Sequence, residues 1–194
     1  VLGPLLTLIV FRHDKPEIAF DMAVILIVQL AAFTYGLTVI VSSRPVFLVA
    51  AVDRLVVVSA NQLDQEELPD DASSPYRRLS FTGPELVGLQ LPSDLKERNR
   101  VLTLELAGRP AEAMPRLYRP YSEVSAELIR HGQPISQLLG RPDEESRRVV
   151  EWLAHSGRKP DELVWVPLQA RKRDLVTIID RESAVPLVML DIHP

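Results

Sequence analysis

The sequence predicts an α+β domain, an antiparallel sheet with helices packed on one side, attached to an N-terminal transmembrane helical segment. Three observations carry that prediction. Residues 1–60 are dominated by Leu, Ile, Val and Ala, whereas residues 61–160 are charged and rich in proline. Residues 22–41 read MAVILIVQLAAFTYGLTVIV without a single charge. After them come two β-rich runs, then two helices, then three more β-rich runs, the order expected of an antiparallel sheet with segregated helices.

The membrane segment comes first. Roughly 20 residues at about 1.5 Å each reach the ~30 Å of a hydrocarbon core. A helix that is apolar all round needs more protein around it than 194 residues supply, so a bilayer is the better surrounding. Residues 1–11 are too short to span and lack a cleavage-site pattern, and they read as the end of a transmembrane helix truncated at its start. Residues 12–21 form a short loop and helix start, in which Asp14 caps, Pro16 suits a first turn and Asp21 lies at the positive end of the helix dipole. Ser42, Ser43, Arg44 and Pro45 end the span. Arg12 and Lys15 favour a cytoplasmic loop and hence a domain on the outer side, but Arg44 and Arg54 lie close to the other end and leave the charge bias small.

Within the span, Gln29, Ala32, Thr34, Gly36 and Thr38 are unusual on a purely lipid-facing surface. Ala32 and Gly36 form a small-xxx-small pair that allows close helix approach, and Gln29 prefers a hydrogen-bonding partner to hydrocarbon. Two occupants fit that face: another protein's membrane helix, or the preceding helix that ends at Phe11.

Residues 44–194 form the domain. Residues 46–52 (VFLVAAV) and 55–59 (LVVVS) predict a β-hairpin across Asp53-Arg54. Residues 61–94 carry Pro69, Pro75, Pro84 and Pro92 among acidic clusters, so long loops with short helices are expected there. Ser93 and Asp94 begin a polar helix or turn, and residues 101–106 fit either helix or strand. Ser122 caps a helix over 123–131 that carries Val124 and Leu128 inward and stops at Gly132. Residues 134–139 make one or two helical turns. A helix over 142–155 with Val149, Val150 and Leu153 inward ends at Gly157. Residues 163–169, 175–180 and 185–190 are the closing strands, and Pro167 and Pro186 push theirs towards edges or bulges.

Composition and motifs exclude a good deal. A formal net charge of −4 without a clustered basic face gives no footprint for nucleic acid. The basic run Arg171-Lys172-Arg173 reads as a solvated hairpin turn. The absence of cysteine excludes disulfides, thiolate catalysis and Cys-type metal sites. His13, His131, His155 and His193 are scattered, with no carboxylate at ligand spacing. Asp64, Glu66, Glu67, Asp70 and Asp71 crowd one loop but lack the spacing of a calcium site. Ser93 and Lys96 have the S-x-x-K spacing of some acylating enzymes without the companion motifs, and Ser93 reads as a helix cap. No cofactor is implied, and the chain reads as a binding protein, not an enzyme. Tyr118, Arg119 and Tyr121 around Pro120 group the residue types enriched at binding hot spots, or else pack a loop onto the sheet.

These strings together resemble a known family. GPLLTLIVF at 3–11, Lys15-Pro16, QLAAFTYGL at 29–37, RPVFLVAAVDRLVVVSA at 44–60 and YRPY at 118–121 are similar to the TfpX/TfpZ family of type IV pilin accessory proteins. LVWVPL at 163–168 and the closing LDIHP resemble the family's C-terminal strands. One departure is Ala50-Ala51, where larger or charged residues are usual. The resemblance implies an inner-membrane protein with a periplasmic C-terminal domain that helps a type IV major pilin reach stable, assembled form. It carries over no catalytic or contact residue. On this reading Gln29, Ala32 and Gly36 hold the pilin's helix while Tyr118, Arg119 and Tyr121 contact its head. A membrane-anchored, PAS-like ligand-binding sensor is the alternative, and it requires an internal cavity.

Overall fold

The computed structural model of the chain describes residues 18–139, 144–170 and 173–192. The expectations for residues 1–11, for the loop with Asp14 and Pro16, for His13 and His193, and for Arg171 and Lys172 lie outside the described residues. The chain divides into two units, residues 1–44 and residues 45–194.

In the first unit, helix α1 runs over Ile18–Ser43. Its stretch Phe20–Ser43 is long and apolar enough to cross a membrane, with a mean hydropathy of 2.3. The hydroxyls of Thr34 and Thr38 donate to the carbonyls of Leu30 and Thr34, each at 2.8 Å. These hydroxyls therefore have acceptors within the helix and need none from hydrocarbon. The Arg44 guanidinium donates to the Val41 carbonyl at 2.6 Å and satisfies one of the acceptors left open at the helix end.

The second unit is one sheet with β1 (Pro45–Ala50) near its middle. The strands are β2 (Leu55–Ser59), β3 (Glu85–Leu89), β4 (Tyr118–Pro120), β5 (Gln133–Pro134), β6 (Leu163–Ala170), β7 (Arg173–Asp180) and β8 (Pro186–Leu190). They lie in the order β4-β3-β1-β2-β6-β7-β8, with β5 also beside β6. The hairpin β1–β2 and the meander β6–β7–β8 are antiparallel, as expected. The sheet as a whole is mixed, because β1 pairs with β3, and β2 with β6, in parallel. Parallel neighbours need crossover connections, and the long segments 60–84 and 60–162 supply them. The proline-rich stretch hid β3, which is short and contains Gly88.

The helices also differ in placement, covering both faces of the sheet. They are α2 (Leu95–Leu106), α3 (Tyr121–His131), α4 (Ser136–Leu139) and α5 (Glu144–Ser156). Side chains of β6 alternate between two cores. Val164, Val166 and Leu168 join Val124 and Leu128 of α3, together with Leu48, Ala50 and Leu55. Leu163 and Trp165 join Ile135, Leu138 and Val149 from the α4–α5 side, with Val176, Ile178 and Ile192. On β1, Phe47 and Val49 pack with Val58, Val87 and Tyr118 beneath Leu63, Tyr76 and Leu79 of the loop.

Several local expectations are corrected. Asp94, not Ser93, caps α2, accepting from the Glu97 amide at 3.0 Å, and residues 101–106 are helical. Helix α3 starts at Tyr121 directly after Pro120, so Ser122 lies inside its first turn. Gly132 does end it, its amide donating to the Leu128 carbonyl at 2.9 Å. Pro167 sits in the interior strand β6, between the residues that pair with β5 (Val164, Trp165) and those that pair with β2 (Leu168, Gln169). On that side no ladder partner meets the residue without an N–H. Pro186 opens the edge strand β8 next to a register shift, as expected.

Two backbone positions test this packing. A Cβ on Gly88 would lie 2.4 Å from Cγ2 of Val124, so Gly88→Ala forces α3 away from the sheet. It is expected to cost about 1–3 kcal/mol. Ala184 holds a φ of 60°, a left-handed conformation that disfavours a side chain. Ala184→Gly is expected to gain up to about 1 kcal/mol. Denaturant midpoints of the full chain in detergent, followed by circular dichroism, read both changes.

Candidate partner-contact surfaces

Helix α1 places Gln29, Ala32 and Gly36 at intervals of three and four residues, so the helical repeat brings them onto one face. Gln29 and Ala32 are exposed and Gly36 is half-buried. A Cβ at Gly36 would meet nothing within 4 Å. Among the described residues, then, no neighbour demands glycine there, and the Gln29 side chain makes no hydrogen bond. The face is narrow and polar-spotted, the kind of surface that admits a second helix at close range.

The three candidate residues of the domain separate. Tyr118 is fully buried, its ring edge-on to Phe47 at 5.1 Å and to Tyr76 at 5.9 Å. Its hydroxyl donates to the Glu112 carbonyl. Desolvation raises its pKa far above the usual phenol range. Tyr118 is thus a core residue with no surface for a partner, because the ladder β3–β4 turns it inward. Tyr121 is half-buried, and its hydroxyl donates to the Ala184 carbonyl at 2.7 Å, bracing the β7–β8 turn against the start of α3. Burial pushes its pKa up to about 12. Only Arg119 is exposed. It borders a groove of about 380 Å³ that Gln90, Ser93 and Arg116 also line, and its guanidinium donates to the Tyr118 carbonyl at 2.7 Å.

A second constellation was not apparent from sequence. The acidic loop is fixed by arginines from later segments. Arg100 of α2 donates to both carboxylate oxygens of Glu67, at 2.6 and 2.8 Å, and to Glu97 at 2.7 Å. Arg109 pairs with Asp64 and with Glu66. Arg116 stands 3.5 Å from Glu97 and 3.9 Å from Glu67 and Asp70. Glu67 is only 4% exposed, and the Arg100 hydrogen bonds hold its carboxyl below the usual range. The Arg109 hydrogen bond does the same for Asp64. Burial and bidentate geometry make these pairs a structural clamp on the loop. The available signal was five acids in eight residues, whose partners lie too far along the chain for any spacing rule to find. Among the described residues no group of three metal-ligating side chains occurs.

Comparison with known proteins adds what geometry does not. The chain is 26% identical over 187 residues to the fimbrial assembly protein of Dichelobacter nodosus serogroup E1, and 27% identical to that of serogroup I. Each alignment covers 94% of this chain and 72% of the relative. The chain is a homologue of these fimbrial assembly proteins. A third fimbrial assembly protein, of serogroups C1 and C2, is 38% identical over 69 residues, covering 34% of this chain and 53% of the relative. This homology with fimbrial assembly proteins bears out the pilin-accessory resemblance of the sequence. No protein-family model and no solved structure matches the chain.

The clamp and the brace carry opposite pH signs. Glu67 and Asp64 have folded pKa values below their ordinary 4.5 and 3.8, so the stability they contribute is complete above about pH 5. It is lost as the pH falls through their lowered values. Glu67→Gln is expected to cost about 2 kcal/mol at neutral pH and to flatten the acid limb of the stability profile. Tyr121 is raised from 10.0 to about 12, so its contribution is complete below pH 10 and disappears between there and pH 12. Tyr121→Phe reduces the alkaline limb by that share, leaving the part due to the likewise raised Tyr118, and costs about 1 kcal/mol for the lost hydrogen bond. Thermal melts across the pH range measure both.

Proposed function

We propose that this protein is an accessory factor of type IV pilus assembly. It is held in the bacterial inner membrane by α1, with the domain in the periplasm, and it binds a type IV major pilin in a chaperone-like manner without catalysing a reaction. The carrying observation is the match along 94% of the chain to proteins named for fimbrial assembly. The geometry supports the mode of action. A membrane-anchored client with a hydrophobic helix finds on α1 a face of Gln29, Ala32 and Gly36 that is spaced for close helix packing. The domain adds a second contact beside Arg119, with Tyr118 and Tyr121 shaping the surface from within. Two weak contacts joined in one molecule act through effective concentration, which gives useful affinity and still permits release.

The test is capture of the type IV major pilin of the same cell on the intact protein from mildly solubilised membranes. Pilin is expected to co-purify in near-stoichiometric amount. Gly36→Leu is expected to reduce capture about threefold, the effect of one average membrane-helix contact, without altering the melt of the domain. A folded protein that brings down no pilin overturns the reading.

A further inference from the structure

Helix α2 leaves one side uncovered. Its inner side carries Val101, 2% exposed, packed with Leu104 against Ala111, Met114 and Leu117. Leu95, Leu102 and Leu106 point the other way and are 74%, 53% and 82% exposed. At about 100° per residue these three lie within about 40° of one another and form a straight apolar seam about 16 Å long. Arg98 and Glu105 flank it on one side, Asn99 and Thr103 on the other. All four flanking residues are exposed. Unlike Arg100, Arg109 and Arg116, neither Arg98 nor Glu105 forms an ion pair among the described residues.

We propose that this seam pairs with the same seam of a second copy of the chain, the two α2 helices running antiparallel about a two-fold axis. The register that sets Leu95 against the partner's Leu106 also brings Arg98 beside the partner's Glu105 and Asn99 beside the partner's Thr103. Each pairing lies within about 3 Å of the same axial level, and symmetry makes each occur twice. No like charges face one another in this arrangement. Parallel pairing would instead lay the Arg98 and Glu105 flank of each copy against the Asn99 and Thr103 flank of the other, so that neither charge meets its opposite. A lipid surface is the poorer occupant, because interfacial helices flank their apolar side with cations, whereas this seam has Glu105 beside Leu106.

Three leucines from each copy fall well short of the roughly 1,200 Å² of a free-standing interface. Pairing is therefore weak in dilute solution and gains from confinement of copies in one membrane by α1, a gain that rests on the anchoring proposed above.

The chain has no cysteine, so one introduced thiol reports without background. Leu102→Cys places it next to the proposed axis. Val150→Cys on α5, a position expected inward from the sequence but 52% exposed in the structure, is the control. Copper phenanthroline oxidation of membranes holding the full-length protein is expected to give disulfide-linked dimers with the first and background amounts with the second. In the Leu102→Cys chain, Arg98→Glu or Glu105→Arg alone is expected to lower the dimer fraction about threefold, and the two together to restore it. All these positions are exposed, and unchanged melts confirm the fold. Equal cross-linking at both thiols, or no rescue by the charge exchange, overturns the proposal. A seam resting on lipid or on another protein gives the second of these results. Pilin capture plays no part in the measurement, so the two readings fail separately.

Discussion

Strand β1 has no exposed face, and the rest of the domain follows from that constraint. Val46, Phe47, Val49 and Ala50 are fully buried and Leu48 is 5% exposed. A strand apolar on both faces needs a layer on each side and a neighbour on each edge. The edges are met by β2 and β3. One face is met by α3, which lies so close that residue 88 must lack a side chain. The other is met by the loop residues Leu63, Tyr76 and Leu79 with Tyr118. A loop makes a poor cover unless it is fixed, and this explains why so many charges are committed to holding residues 64–70 onto α2 and the segment around Arg116.

The same strand shows what was legible in the sequence. The hairpin, the closing meander and the apolar span were all plain, since each rests on a local pattern: a β-rich run, a turn, an uninterrupted hydrophobic stretch. The run VFLVAAV also held more than was taken from it. Strict alternation marks a strand with one wet face, whereas an unbroken apolar run marks one covered twice. Helices on one side only was therefore the weaker inference. Parallel pairing with β3 was beyond reach, because ELVGL among prolines carries little strand signal and its pairing is decided by the helix that needs Gly88.

The candidate site divides in the same manner. Gln29, Ala32 and Gly36 share a face because helical spacing is a local rule. Tyr118 and Tyr121 differ in fate although three residues apart, since β4 turns the first into the core and the start of α3 turns the second towards Ala184. Composition marks such tyrosines as interaction residues, but a hot spot and a core anchor use the same chemistry, a large ring with a satisfied hydroxyl. Only the position of the strand decides between them.

The distribution of charge separates holding from binding. Arg100, Arg109 and Arg116 all stand within 4.0 Å of carboxylates of the acidic loop or α2, and at Glu67 the carboxylate is out of water. Such pairs are costly to break and suit a permanent clamp. Arg98 and Glu105 sit two residues before and five residues after Arg100 on the helix, yet on a side where neither finds an ion-pair partner among the described residues. A fold that places its arginines against buried acids while leaving an aligned leucine seam with one cation and one anion in water is not short of internal partners. The exposed set is better understood as complementary to something outside the chain. The clamp then has a second consequence: by fixing α2 through Arg100, it holds the seam rigid and lowers the ordering cost of whatever pairs with it.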